Sequence, residues 1–119
     1  MEFKFKKAKS FEERRQEYEK VTRDHPGKIG IICEKAPKSL IAGIEKTKYL
    51  IGEEINLAQF TKIIRKKLNL KEQESLFFLV NGKISITGSD QMSEIYKKYK
   101  DKDGFLYIAY ASEEVWGNK

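Results

Sequence analysis

Leu76-Phe77-Phe78-Leu79-Val80-Asn81-Gly82-Lys83-Ile84-Ser85-Ile86 is the stretch whose reading organises the rest of the chain. An apolar run meets Asn81-Gly82, a strong hairpin signal because both residue types accept the positive φ of a tight turn. The chain then returns through Lys83 to Ile86 as a second strand. Upstream, Asn56 can cap a helix over Leu57 to Leu68, with Leu57, Phe60, Ile63, Ile64 and Leu68 on one apolar face. Before it stand two β-rich runs, Lys28 to Lys35 and Thr47 to Gly52, separated by a connection containing Pro37 and Gly43. Downstream, Asp90 is placed to cap a helix carrying Met92, Ile95, Tyr96 and Tyr99. Lys102-Asp103-Gly104 then turns the chain into a closing strand, Phe105 to Tyr110.

The resulting order is strand, strand, helix, hairpin, helix, strand. It fits an α+β fold of the ubiquitin-like β-grasp type, in which a sheet wraps one helix, although other α+β sandwiches share the order. Two additional N-terminal helices are expected. Met1 to Lys9 is a short basic segment with Phe3 and Phe5 interleaved among Lys4, Lys6, Lys7 and Lys9. Ser10-Phe11-Glu12-Glu13 is a capping-box pattern that opens a charged helix reaching about Arg23, ended by His25-Pro26-Gly27. Its few apolar positions, Phe11, Tyr18 and Val21, place it on the surface of a domain. The expected division is residues 1–27 as a helical extension, 28–112 as the core and 113–119 as a flexible C-terminal tail.

With 119 residues, 39% of them hydrophobic and 12% aromatic, the chain suits one globular domain with its own core. Cys33, the single cysteine, excludes an internal disulfide framework or a Cys-rich zinc site and favours a reducing, cytoplasmic setting. No apolar run approaches the length of a membrane span, and the N-terminus lacks a signal-peptide core. The net charge of +6, from 24 basic and 18 acidic residues, attracts acidic peptides or anionic surfaces. Nucleic acid is not expected as a partner, because no RNA-recognition aromatics, zinc finger or recognition-helix pattern accompanies the charge.

Catalytic chemistry finds little support. Cys33 sits in an apolar strand and reads as a buried structural thiol. His25, the only histidine, lies in a turn without a catalytic partner in sequence. Glu12-Glu13, Glu53-Glu54 and Glu113-Glu114 read as cap or surface charges rather than an acid/base pair. No phosphate-binding glycine loop or metal-ligand spacing is present, so no metal or cofactor is expected.

Several blocks stand in order: Phe11-Glu12-x-Arg14-Arg15, Ile32 to Lys38, Lys48-Tyr49-Leu50, Gln59-Phe60, Ile64 to Lys67, Leu79-Val80-Asn81 and Asp101 to Tyr107, followed by Trp116-Gly117. From about Phe3 to Gly117 they resemble the GABARAP-type autophagy ubiquitin-like modifiers. The resemblance implies a protein that is no enzyme itself but a substrate of a lipidation pathway. A cysteine protease would cleave between Gly117 and Asn118. Activating and conjugating enzymes would then carry the Gly117 carboxylate to phosphatidylethanolamine. Glycine offers an unhindered carbonyl for each of these attacks. A cytoplasmic monomer would thereby move to autophagosomal or vesicle membranes.

The resemblance also implies that the strand at Lys46 to Gly52 binds cargo receptors through short acidic motifs, with an aromatic anchor and, three residues later, an aliphatic one. The aromatic pocket would use Glu17, Val21, Gly30, Ile32, Lys48, Leu50 and Phe105. The aliphatic pocket would use Tyr49, Ile51, Gly52, Ile55, Phe60 and Ile63, and Lys28, Lys46 and Lys48 would attract the acidic flanks. The chain departs from the family pattern where Gly30 and Gly52 replace prolines, where Ser85-Ile86 replaces a Pro-Pro pair, and in a Thr87 to Met92 loop longer by one residue. Trp116 stands where Phe or Tyr is usual. Loss of the two proline rings is expected to open the pockets and loosen the edge. Alternatives are an unconjugated soluble module for vesicle-traffic or cytoskeletal partners, and a small enzyme dependent on Cys33.

Overall fold

Ser10 opens the first long helix as its capping box requires. Its hydroxyl accepts from the Glu13 N–H at 3.2 Å, and its own N–H donates to the Glu13 carboxylate at 2.8 Å. In the computed structural model, which describes residues 1–112, this helix is α2 (Phe11–Asp24), preceded by the single-turn α1 (Lys4–Ala8). Then follow β1 (Lys28–Lys35), β2 (Lys48–Gly52), α3 (Leu57–Leu68), β3 (Phe77–Val80), β4 (Ile84–Ile86), α4 (Met92–Tyr99) and β5 (Leu106–Ala111).

The sheet order is β2-β1-β5-β3-β4. The β1–β5 pair is parallel and the other three pairs are antiparallel. This is the expected α+β arrangement of two N-terminal helices on a mixed five-stranded sheet. Side chains of a strand alternate between faces, and here both faces of the central strands are covered. Ile29, Ile31, Cys33, Leu106, Ile108 and Tyr110 meet α3 through Leu57, Phe60 and Ile64. On the opposite face, Ile32, Phe105, Tyr107, Ala109 and Ala111 are covered by Phe3, Phe5 and Tyr18 from the N-terminal segment. All six residues of β5 are buried, which explains why its sequence is apolar throughout rather than alternating.

Two local expectations change. Asn81 and Gly82 adopt φ of 57° and 71°, as a tight turn needs, but Ile84 rather than Lys83 lies opposite Val80. The return strand is therefore short, leaving Lys83 in the turn. Asp90 does not cap α4. Gln91 occupies that position without a side-chain cap, while the Asp90 carbonyl accepts from the Leu57 N–H at 2.8 Å. That bond and the Asn56–Gln91 bridge fasten the start of α4 to the start of α3.

Candidate functional site at the sheet edge

Among the described residues β2 pairs only with β1, so its outer side is a sheet edge. Within the pair, Lys28, Ile29, Gly30, Ile31 and Ile32 lie opposite Gly52, Ile51, Leu50, Tyr49 and Lys48. Tyr49 and Ile51 point into the α3 side, where the Tyr49 ring meets Phe60 edge-on at 6.2 Å and Ile55 and Ile63 pack alongside. Lys48 and Leu50 take the other parity and front the α2 side. Gly52 shares the parity of Lys48 and Leu50, opposite to that of Tyr49 and Ile51.

On the α2 side, Glu17 is ion-paired with both Lys48 and Lys9. Burial alone would raise the Glu17 carboxyl, but its bonds to Lys48 and Lys9 outweigh this and hold it below the usual carboxylate value. Val21 is half-buried one turn along α2, and Gly30, Ile32 and Phe105 are buried beneath. The structure thus brings Glu17 beside Lys48 and places Gly30, Ile32 and Phe105 under the same face. Lys46 lies over the Tyr49 ring, 5.2 Å from its centroid, and Lys28 is exposed at the start of β1. The Tyr49 hydroxyl is buried without a hydrogen-bond partner among the described residues, and its pKa is pushed up to about 12, chiefly by burial. Gly117 and Asn118 lie outside the described residues.

Neither glycine has empty space where a Cβ would stand. A Cβ on Gly30 would fall 3.0 Å from two carbons of the Phe105 ring and 3.2 Å from Tyr18. Both rings border the space a larger residue would take, and they meet each other edge-on at 5.1 Å. At Gly52, the equivalent space holds the Glu54 carboxylate. At both glycines a neighbouring side chain borders the place a Cβ would take.

Residues that sequence reasoning left aside hold this face in position. Arg14 Nε donates to Asp103 Oδ2 at 2.8 Å, and both side chains are almost completely buried. The Tyr107 hydroxyl donates to the same oxygen at 2.5 Å. Tyr18 stacks on Tyr96, whose hydroxyl donates to the Gly104 carbonyl at 2.7 Å. Glu34 accepts from the Lys4 and Phe5 N–H groups at 2.7 and 3.0 Å, which pins α1 over the sheet. Arg14, Asp103 and Tyr107 lay inside the ordered sequence blocks, but their partnership had no local signal. Elsewhere a groove of about 620 Å³ runs between α1 and the β1–β2 connection, lined by Phe5, Ala8, Pro37 and Ile44 among others.

Cys33 is fully buried, and burial followed by the Glu34 charge raises its thiol pKa far above the range of a reactive cysteine. Among the described residues no cluster of His, Cys, Asp and Glu can hold a metal, and no helix is long and apolar enough to cross a membrane.

This arrangement of helices, sheet and edge has a family counterpart. The model of the autophagy protein Atg8 ubiquitin-like family matches residues 13–117. The chain belongs to the Atg8 family. The crystal structure of Trypanosoma brucei ATG8 is similar, with a TM-score of 0.89 and 37% sequence identity, over 95% of this chain and 97% of that one. An Atg8-family assignment makes this a ubiquitin-like autophagy protein.

Proposed function

We propose that this Atg8-family chain is a GABARAP-type modifier, joined through Gly117 to phosphatidylethanolamine on autophagic membranes. Its β2 edge recruits proteins carrying short acidic aromatic-x-x-aliphatic motifs. The observation that carries the recruiting role is the β2 edge, unpaired among the described residues, with different surroundings on its two faces. In an extended peptide, residues three apart point to opposite faces. Such a motif can pair its backbone with β2 while its aromatic anchor faces Lys48 and Leu50 and its aliphatic anchor faces Tyr49, Ile51, Ile55 and Ile63. Lys28, Lys46 and Lys48 give the edge the positive field that draws in acidic flanks.

The conjugating role is supported by the family match, which runs through Gly117 and leaves Asn118 and Lys119 beyond it. Proteolysis of the Gly117–Asn118 amide frees a carboxylate. Adenylation by ATP releases pyrophosphate, an enzyme thiolate displaces AMP, and the lipid amine displaces the thiolate to form the final amide. Two acyl chains, at about 0.8 kcal/mol for each buried CH₂, hold the product on a membrane. Residues 113–119 serve as the conjugation tail of the 28–112 core, and the protein acts as substrate and adaptor rather than enzyme. Replacement of Gly117 by Ala tests this by stopping the appearance of a lipid-linked form in cells. Unchanged lipidation of that variant contradicts it.

A further inference from the structure

We infer that Glu54 selects the residue lying between the two anchors of a bound motif, favouring a basic side chain two positions after the aromatic. The inference rests on the edge-binding reading above and deepens it. Gly52, Glu53, Glu54 and Ile55 form a turn closed by the Ile55 N–H on the Gly52 carbonyl at 3.2 Å. The turn carries the Glu54 side chain back over Gly52. A Cβ on Gly52 would fall 2.7 Å from the Glu54 carboxylate carbon, so only glycine leaves that place to the carboxylate.

The geometry then fixes which motif residue meets it. The aromatic pocket draws on Lys48 and Leu50, and the aliphatic one on Ile51, Ile55 and Ile63, further along the chain. A motif whose aromatic comes first must therefore run parallel to β2. Side chains two apart share a face, so the second residue after the aromatic points to the same side as Lys48 and Leu50. It lies two residues further along, beside Gly52 and under the Glu54 carboxylate. Glu54 forms no ion pair within the described residues, whereas Lys48 on the same face is paired with Glu17. Lys28 is opposite Gly52 in register but on β1. It is two strand spacings from a partner strand, about 9.6 Å, against about 4.8 Å for Gly52. The Glu54 carboxylate stands over Gly52, on the strand nearer the motif.

The test is titration of the full chain with three synthetic peptides of one acidic-flanked aromatic-x-x-aliphatic sequence, bearing Lys, Gln or Glu at that position. The Lys peptide is expected to bind about fivefold tighter than the Glu peptide, the scale of an exposed charge pair, with the Gln peptide between them. Glu54→Gln should bring the three affinities within about twofold, as should high salt. Equal affinities for the unaltered chain, or a preference that survives Glu54→Gln, overturn the inference while leaving edge binding intact. Failure of every peptide to bind overturns the edge reading and this inference with it.

Discussion

Glu17 and Lys48 form an ion pair that ties α2 to the sheet edge, so the lysine facing an incoming motif already has a carboxylate partner. An acidic peptide must compete with Glu17 for Lys48. Glu17→Gln is expected to strengthen binding of acidic-flanked motif peptides by about two- to fivefold, the worth of an exposed pair. Calorimetric titration against unaltered protein checks it, and weaker binding by the variant contradicts the competition.

Acid should loosen the same contacts. In Glu17 and in Asp101, burial raises the carboxyl, but bonds to Lys48 and Lys9, and to Lys6 and the Asp103 N–H, outweigh it and lower both pKa values. Groups whose pKa is depressed on folding stabilise fully above their unfolded value and lose that contribution as pH falls through the folded one. The loss should begin below about pH 4.5, the ordinary glutamate value. Urea unfolding from pH 7 to pH 3 should show this decline, with a shallower slope in a Glu17→Gln, Asp101→Asn double variant.

Breaking the buried Arg14–Asp103 pair should cost much more. Arg14→Met leaves Asp103 buried beside Tyr107 without its cation, for which a loss of about 3 kcal/mol is expected. Chemical denaturation measures it. Lys48→Met, which removes an exposed partner, should cost less than about 1 kcal/mol in the same assay.

Gly104 should tolerate no side chain. Its φ is 105°, and a Cβ there would lie 2.6 Å from Tyr18 Cγ. Gly104→Ala is expected to destabilise by about 2–3 kcal/mol through backbone strain and displacement of Tyr18. Gly30→Ala meets milder contacts at 3.0 Å and should cost about 1–2 kcal/mol. It should also weaken motif binding, because Phe105 must move.

Release of α1 should follow from Glu34→Ala. Two backbone N–H groups then lose their acceptor, at about 1–3 kcal/mol. Trypsin should cut at Lys4, Lys6, Lys7 or Lys9 sooner than in unaltered protein. Equal protection shows that Phe3, packed edge-on to Tyr107 at 5.2 Å, suffices to hold the segment.

Most of the fold was legible because local and global signals agree. The Ser10 and Asn56 caps, the apolar face of Leu57 to Leu68 and the Asn81-Gly82 turn all stand where patterning placed them. The exceptions are contacts made by the chain far from itself in sequence. Asp90 reads as a cap, yet its carbonyl is used by Leu57, so tertiary docking decides the register there. Nothing local to Gly30 announces that Phe105 and Tyr18 fill its place, or near Glu34 that it holds α1. The role of Glu54 arises only once the turn after β2 folds back.

The central claim is most directly tested by the intact mass of the membrane-bound protein isolated from cells, before and after phospholipase treatment. The account predicts a chain ending at Gly117 and carrying one phosphatidylethanolamine, whose mass falls when the lipid is cleaved. A membrane-bound chain that retains Asn118 and Lys119, with a mass unchanged by phospholipase, would contradict it.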